Sequence, residues 1–461
     1  MRVLLVKPYN LSDHIQPSLG LGYLATAIKD KSEVSILDCI KENLKINQLA
    51  KIIQKYKPDV VGFQCYTFDL NSVKNSLSII KGVNKMIVTV VGGPHPSALP
   101  MQTMKYFGND LDFAFKGESE KSLSLFIEFL NGKKINFRDI PGFVWREKDS
   151  IKENECYFEV NIDSLGMPSW ELIHPENYPE SQHGAFYKNF PIAPIMLTRG
   201  CPYQCTFCAG KLISGTKLRK RSVSSVIDEM NLLYSNYGIR EFHIVDDNFT
   251  FDTNYAKTFL RRLIDKNLDI SLATPNGIRL DTLDKELLTL MKQSGLYLIS
   301  LGIESGSDDV LRSMKKSLNV KKIKESISFI RSFGFDIAGF FILGFPGETK
   351  ENILSTIRLS LELDLVRANY FTYLPFPGTE SYNRLMENNE LHQVDWDRFY
   401  FMNAAYTPKG LTREELKGLQ RLAFFKFYFR PKILWKNIIG IKSLRHFKYL
   451  LKRFFRWVIV S

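Results

Sequence analysis

Short apolar runs alternate with amphipathic segments along the first 132 residues of the chain. The apolar runs predict strands at residues 3–6, 34–37, 60–65, 86–91 and 113–115. Helical periodicity predicts helices near residues 20–30, 44–56, 69–82, 98–107 and 119–131. Strands that alternate with helices are typical of a doubly wound parallel sheet, so we expect a Rossmann-like first domain.

A second alternation of strands and helices covers residues 191–385. It predicts strands at residues 195–198, 241–246, 271–274, 298–303, 337–343 and 370–373. Six such units indicate a (β/α)6 partial TIM barrel, whose active site lies at the carboxyl ends of the strands. Residues 133–190 are predicted to be a connector with a hairpin, and residues 386–461 a helical C-terminal region with a basic tail. The fold class is therefore α/β, with predicted domains at 1–132, 133–190, 191–385 and 386–461.

Charge is concentrated near the end of the chain. The net charge is +13, but no acidic residue follows Glu415, whereas twelve of the 62 Lys and Arg residues do. The rest of the chain carries 50 basic residues against 49 acidic ones, so its body is nearly neutral. This distribution makes nucleic acid the least favoured partner.

The basic tail has the pattern of an amphipathic helix. Its apolar face comprises Leu444, Phe447, Leu451, Phe454, Phe455 and Val458, and its basic face Arg445, Lys452, Arg453 and Arg456. One interpretation is an interfacial helix on anionic lipid, and the other is a helix packed on the core. The sequence leaves both open.

Six cysteines occur, and three of them, Cys201, Cys205 and Cys208, lie within eight residues. Thiolates packed this closely suit a soft metal or an iron–sulfur cluster, and three of them leave one iron of a cubane free. The alternative is a structural zinc site, which closes with four protein ligands, but no fourth partner lies nearby in the sequence. The other three cysteines are scattered, so we expect a reducing, cytoplasmic location.

The segment around these cysteines resembles the signature of the radical S-adenosylmethionine (SAM) superfamily, Cys-x-x-x-Cys-x-aromatic-Cys, with Phe207 in the aromatic position. The resemblance implies a [4Fe-4S] cluster whose free iron is chelated by the amino and carboxylate groups of SAM. Reduction then cleaves SAM to a 5'-deoxyadenosyl radical. The protein contributes orientation, electrostatics and exclusion of competing reactions.

Further matches to this superfamily follow the predicted barrel strands in order. The resemblance implies that the SAM amino group binds near Asp246, Asp247 and Asn248, and its carboxylate near Arg279. It also implies that Glu304 binds the ribose, and that Ile342 and Gly344 form the adenine surface. A helix N-cap at Asp246–Asn248 and a surface position for Arg279 are the structural alternatives.

The loops of the first domain resemble those of the cobalamin-binding domain that precedes the core in the cobalamin-dependent, or class B, subclass. The matching residues are Pro17, Leu19, Gly20, Gly92, Gly93, Pro94, Gly117 and Glu118. The Asp-x-His-x-x-Gly element that supplies a lower cobalt ligand is absent, because Asp13 and His14 are adjacent. We therefore expect cobalamin without a histidine ligand, and His14 and His95 to be loop or hydrogen-bonding residues.

The resemblance implies an enzyme that methylates an unactivated carbon of a small-molecule or lipid-like substrate, with flavodoxin or ferredoxin as electron donor. The alternatives are a non-methylating cyclase, oxidase or rearrangement enzyme, and a noncatalytic, membrane-recruited cofactor-binding protein. The tRNA methylthiotransferases carry three cysteines in their first domain, whereas this chain has Cys39 and Cys65. The expected location is cytoplasmic, with the inner membrane face as a peripheral site.

Overall fold

The computed structural model describes residues 1–10, 15–180, 187–391, 395–396, 399–441, 443–444, 446–448 and 450–451. Within them, one sheet of seven strands is followed along the chain by a second sheet of six. All neighbouring strands of the second sheet run parallel, as a partial barrel requires. The expected α/β fold class is confirmed.

The first sheet has the strand order β2-β1-β3-β4-β5-β6-β7. Its strands are β1 (Arg2–Lys7), β2 (Glu33–Asp38), β3 (Val60–Gln64), β4 (Val88–Gly92), β5 (Phe113–Phe115), β6 (Phe143–Glu147) and β7 (Ser150–Glu153). The helices of this part are α1 (Leu19–Ile28), α2 (Leu49–Tyr56), α3 (Leu70–Val83), α4 (Pro94–Ala98), α5 (Pro100–Phe107), α6 (Glu120–Leu130) and α7 (Trp170–Ile173). The five strands before the hairpin are parallel, because each is joined to the next by a helical crossover.

Helices cover both faces of this sheet, which explains why its strands are apolar almost throughout. Leu4 and Val6 of β1 pack in the core that α2 and α3 complete. Val3 and Leu5, which point the opposite way, pack with α1 and α6.

The predicted hairpin is present as β6 and β7, and β6 pairs antiparallel with β5. The hairpin therefore extends the first sheet by two strands, although the sequence placed it in a connector. The bounds of the four domains remain a prediction.

The second sheet has the order β15-β14-β13-β12-β11-β8. Its strands are β8 (Ile192–Ile195), β11 (Glu241–Ile244), β12 (Ser271–Ile278), β13 (Leu296–Glu304), β14 (Asp336–Leu343) and β15 (Arg367–Thr372), while β9 (Thr198–Arg199) and β10 (Arg219–Lys220) form a separate pair. The helices are α8 (Gly210–Ser214), α9 (Val223–Asn236), α10 (Thr253–Asp265), α11 (Lys285–Gln293), α12 (Asp308–Ser313), α13 (Val320–Ser332), α14 (Lys350–Glu362), α15 (Glu380–Glu387), α16 (Arg413–Tyr428) and α17 (Pro431–Ile439). One continuous hydrophobic core joins the helices to the strands.

The strand predicted at residues 195–198 is displaced in the structure. The barrel strand β8 ends at Ile195, and the chain then turns so that Thr198 and Arg199 pair with β10. The carboxylate of Asp246 accepts hydrogen bonds from the backbone N–H groups of Leu197 and Thr198, at 2.8 and 2.7 Å. Since these donors are occupied by a side chain, the strand cannot continue along β11.

Two consecutive helices follow the barrel. α16 begins with a capping box, in which Thr412 and Glu415 satisfy each other's backbone N–H groups. α17 begins at Pro431, which suits the first turn of a helix because its missing N–H would have no partner there. Among the described residues, every helix is too short or too polar to cross a lipid bilayer.

Candidate functional site

A cavity of about 1950 Å³ lies between the two sheets and extends into the barrel. Its first wall is formed by loops that follow β1, β4 and β5, and its second wall by the cysteine loop and the carboxyl ends of barrel strands. In doubly wound sheets, ligands bind where the strand order reverses, here between β1 and β3. The topology therefore places this cavity where a ligand is expected.

All eight residues predicted to bind cobalamin line the first wall: Pro17, Leu19, Gly20, Gly92, Gly93, Pro94, Gly117 and Glu118. Gly93 has a φ of +107°, and a Cβ atom there would lie 3.2 Å from the backbone N and O atoms of Cys65. A Cβ on Gly20 would meet no atom within 4 Å. The first wall is thus a backbone surface that a large, flat ligand can approach closely.

His95 lies behind the first wall, as the sequence predicted for a histidine that is not a metal ligand. It is buried, and its Nδ1 atom lies 3.1 Å from the hydroxyl of Thr67. Burial lowers the pKa of His95 to about 4. The lack of a histidine ligand remains a prediction, because Asp13 and His14 lie outside the described residues.

The carboxylate of Glu118 binds arginines next to the cysteine loop. Its two oxygens accept bonds of 2.6 and 2.7 Å from Arg219. Arg199, two residues before Cys201, lies 2.8 Å from Glu120 and 3.5 Å from Glu118. All four side chains are nearly buried. This ion-pair cluster fixes the first wall to the second and leaves Glu118 little freedom to bind a ligand through its charge.

Cys201, Cys208 and Phe207 line the second wall, and Cys205 lies behind it. Desolvation raises the pKa of Cys208 to about 11 and also raises that of Cys201. In the described part of the chain, no three His, Cys, Asp or Glu side chains converge closely enough to hold a single metal ion. A cubane binds each cysteine to a different iron, so three separated thiols fit a cluster better than a mononuclear ion.

Two aspartates after β11 have different environments. Asp246 is buried and committed to the backbone before the cysteine loop, so it does not cap a helix. Burial raises the pKa of Asp246 to about 7. Asp247 faces the cavity, and a Cβ atom on Gly210 would lie 3.6 Å from its carboxylate and 3.5 Å from the sulfur of Cys208. Asp247 therefore presents an acidic group to the cavity beside the cysteine loop.

Arg279 is buried, so the surface alternative is wrong. Its Nε and Nη2 atoms donate bonds of 2.9 and 2.7 Å to the carboxylate of Asp281, and its guanidinium stacks 3.8 Å from the ring centre of Tyr203. Its Nη1 atom is buried without a hydrogen-bond partner in the described chain. One donor beside the cysteine loop therefore remains for a ligand, which fits a carboxylate.

Glu304 pairs with a lysine that the sequence gave no reason to select. Its Oε1 atom lies 2.8 Å from Nζ of Lys316, and both side chains are buried. The residue has a φ of +66°, a strained backbone conformation for a side chain of this size. Its carboxylate is therefore held by an internal cation rather than open to the cavity.

Of the eight predicted SAM residues, all of them described, three line the cavity: Phe207, Asp246 and Asp247. The other five, Asn248, Arg279, Glu304, Ile342 and Gly344, lie behind the wall. Ile342 and Phe207 pack in one hydrophobic cluster. A Cβ atom on Gly344, whose φ is +80°, would lie 2.7 Å from Leu416, so this glycine is required by α16. The structure thus brings Ile342, predicted for the adenine surface, into the same hydrophobic cluster as Phe207 of the cysteine loop.

Lys316, Arg219 and Tyr203 are site residues that sequence reasoning missed. Tyr203 lies inside the cysteine loop, and its position between two ligands was a usable signal. Lys316 and Arg219 lie in polar segments where a basic residue is unremarkable.

Comparison with known proteins gives one consistent result. Residues 195–360 match the model of the Radical SAM superfamily, and residues 12–127 match that of the B12 binding domain. An uncharacterized methyltransferase of Pyrococcus horikoshii is 30% identical over 96% of this chain and 93% of its own length. The cytidylyl-2-hydroxyethylphosphonate methyltransferase of Streptomyces wedmorensis is 30% identical over 78% of this chain and 76% of its own. An anaerobic magnesium-protoporphyrin IX monomethyl ester cyclase of Rubrivivax gelatinosus is 26% identical, over 98% and 81%.

Two solved structures share the fold. OxsB, a cobalamin-dependent SAM radical enzyme with aqua-cobalamin and SAM bound, superposes with a TM-score of 0.77 at 17% identity, covering 100% of this chain and 71% of its own. The methyltransferase TsrM of Kitasatospora setae, with cobalamin and a [4Fe-4S] cluster bound, gives 0.68 at 20% identity, covering 84% and 75%.

Proposed function

This chain belongs to the radical SAM superfamily, and from that premise we propose that it methylates an unactivated carbon atom of its substrate. It is an enzyme of the cobalamin-dependent subclass, with a [4Fe-4S] cluster, SAM and cobalamin as cofactors. When bound, the cluster and SAM supply a 5'-deoxyadenosyl radical, and cobalamin supplies the methyl group.

One observation carries the proposal: the loops predicted for the two cofactor sites face each other across a single cavity. A substrate held between them has one side toward Gly20 and Gly93 and the other toward Cys201, Cys208 and Asp247. Hydrogen removal and methyl delivery at one carbon require such an arrangement, because the carbon must be reached by both groups without leaving the site. The relatives named methyltransferases support the same conclusion.

The residues of this chain have distinct parts in the proposal. Cys201, Cys205 and Cys208 hold the cluster, and Asp247 binds the SAM ammonium. Arg279, whose Nη1 atom lacks a partner among the described residues behind the wall, is the group assigned to the SAM carboxylate. Asp246 is a positioning residue, because it fixes the backbone that enters the cysteine loop. The glycine loops of the first wall bind cobalamin without a histidine ligand on cobalt.

Incubation of the anaerobically reconstituted enzyme with methyl-deuterated SAM tests the reaction, with and without cobalamin. If the enzyme transfers methyl groups, the reaction should yield both S-adenosylhomocysteine and 5'-deoxyadenosine. The S-adenosylhomocysteine should form only when cobalamin is present. Deoxyadenosine without S-adenosylhomocysteine contradicts the proposal. That outcome favours the second candidate, a non-methylating cyclase, oxidase or rearrangement enzyme, which the similarity to the cyclases supports.

The substrate is a small molecule or a lipid-like molecule in this proposal, and a flavodoxin or ferredoxin supplies electrons. Apolar side chains from both sheets line the cavity, among them Phe63, Phe115, Phe340 and Phe371. In this proposal the tail contacts the inner membrane face. Its apolar residues Leu444, Phe447 and Leu451 are all exposed. Arg445 and residues 452–458 of the predicted tail helix lie outside the described residues. Deletion of residues 442–461 should reduce co-sedimentation with vesicles, and unchanged partitioning contradicts a role for the tail.

A further inference from the structure

Exposed apolar side chains are concentrated on the two helices that follow the barrel. Of the 18 large hydrophobic residues that are exposed in the described chain, ten lie between Leu422 and Leu451. Seven of these belong to α16 and α17 or the residue that follows α16: Leu422, Phe425, Phe429, Leu434, Trp435, Ile438 and Ile439. We call these seven residues the α16–α17 face. A concentration of this kind marks a binding surface, whereas isolated exposed apolar residues do not.

The face is a consequence of helical spacing. On α16, Leu416, Leu419, Ala423 and Phe427 are buried against the barrel, and Leu422, Phe425 and Phe429 lie on the opposite side. On α17, Ile433 is buried, while Trp435, Ile438 and Ile439 are 66%, 58% and 65% exposed. Both helices therefore have a second apolar side on which several side chains remain exposed to solvent.

Two cations without an ion-pair partner among the described residues lie on α16 beside this face. Arg421 and Lys426 are exposed on α16, and neither forms an ion pair with a residue that the structure describes. Lys432 and Lys436 of α17 instead bind Asp364 and Asp336, at 2.9 and 2.5 Å, and hold that helix on the barrel. No acidic residue follows Glu415 in the sequence.

We propose that the α16–α17 face docks on the surface of an anionic lipid bilayer. Apolar side chains beside unpaired cations suit the boundary between acyl chains and negatively charged headgroups, and tryptophan is favoured at that depth. The residues of this face belong to α16, α17 and the residue that follows α16, so the proposal does not depend on the tail.

Docking here brings the bilayer to the amino ends of β14 and β15, because Asp336 begins β14 and Asp364 precedes β15. The cavity also extends to the amino ends of these strands, because Lys436 and Asn437 of α17 line it together with Phe424 and Tyr428 of α16. A strand of eight residues spans about 25 Å, so an amphiphile that enters at this end must be elongated to reach the cysteine loop. This last step rests on the proposed function, whereas docking does not.

Co-sedimentation of the reconstituted full chain with vesicles tests the docking surface. We expect binding to phosphatidylcholine vesicles that contain about 30 mol% phosphatidylglycerol, and much weaker binding to phosphatidylcholine alone. The combined substitution Trp435→Ser, Ile438→Ser and Ile439→Ser should weaken binding on the order of tenfold or more. Arg421→Glu with Lys426→Glu should remove the preference for the anionic vesicles.

The matched control is Met86→Ser, Val160→Ser and Phe329→Ser, which changes three exposed apolar residues elsewhere and should leave binding unchanged. Equal weakening by the control overturns the proposal. So does a wild-type dimer, seen without vesicles and lost in the Trp435 variant, because the face then binds a second copy of the chain. Full vesicle binding by the Trp435 variant, with its circular dichroism spectrum unchanged, also overturns it. None of these measurements depends on turnover, so they remain informative if the enzyme does not transfer methyl groups.

Discussion

The two walls of the cavity are built by different means. The first wall is a backbone surface lined by Gly20, Gly92, Gly93 and Gly117, of which Gly20 borders open space and Gly93 packs against the backbone of Cys65. The second wall depends on side chains, and behind it Asp281 and Lys316 hold Arg279 and Glu304 in place. A site made from backbone is sensitive to added volume, whereas one made from buried charges is sensitive to the loss of a partner. Substitutions on each side can test that difference, and removal of a cluster ligand should have the largest effect.

Cys201→Ala should abolish cluster binding at the second wall. Loss of one of three thiolates leaves too few ligands for a cluster, so iron and sulfide content and 5'-deoxyadenosine formation should fall to background. Iron analysis after anaerobic reconstitution measures this effect. Cys156→Ala, which changes a half-buried cysteine outside the loop, is the control and should retain its iron. Normal iron content in the Cys201 variant would contradict the cluster assignment.

Arg219→Met should destabilise the contact between the walls. It leaves the carboxylate of Glu118 buried without its main partner, which costs about 3–5 kcal/mol in the free energy of unfolding. Denaturant titration measures the cost. Arg312→Met breaks an ion pair with Asp309 in which both side chains are highly exposed, so it should cost less than about 1 kcal/mol. Addition of Glu118→Gln to the Arg219 variant should recover part of the loss, and its failure to do so would mean that charge is not the cause.

Gly93→Ala should affect the first wall through added volume and backbone strain, without removing any charge. The residue has a positive φ, and its new Cβ atom would press on the backbone of Cys65, so we expect a loss of about 1–3 kcal/mol and weaker cobalamin binding. Spectroscopic titration with cobalamin measures the affinity. Gly82→Ala is the control, since its Cβ atom meets nothing within 4 Å and alanine favours the helix. Equal cobalamin affinity in the two variants would contradict a backbone cradle.

Two buried groups, Glu348 on the barrel side and His95 behind the first wall, should give pH dependences of stability that are opposite in sign. Burial raises the pKa of Glu348, on the barrel side, to about 8 from an ordinary value of 4.5, so the folded state holds its proton longer than the unfolded state. The contribution of this group to the free energy of unfolding is therefore greatest below pH 4.5, and it falls by about 1.4 kcal/mol per pH unit as the pH rises to about 8.

For His95, whose pKa is lowered to about 4 from 6.5, stability instead falls as pH decreases through that interval. Denaturant titration from pH 5 to pH 8 should show that Glu348→Gln flattens only the alkaline decline. An unchanged decline in this variant would contradict the burial argument.

The elements could be predicted far better than the pairings of the site. Strands such as 113–115 and 337–343 carry local patterns that a window of a few residues reveals. The glycine loops were also recognisable, because a backbone cradle depends on the residues of the loop itself. The strand at 195–198 was misplaced since Asp246, about fifty positions away, takes its backbone donors. Nothing in the sequence near Glu304 indicated Lys316.

The sequence alone determined the order of strands and helices, the cysteine loop, the glycine loops and the charge of the last segment. These features are periodic or local, so neighbouring residues specify them. The tertiary structure decided which charges meet: Glu118 binds Arg219 across 101 positions, and α16 and α17 expose a second apolar side. Such contacts depend on how the chain returns in space, because two residues far apart in sequence are free to be near or distant until the core closes around them.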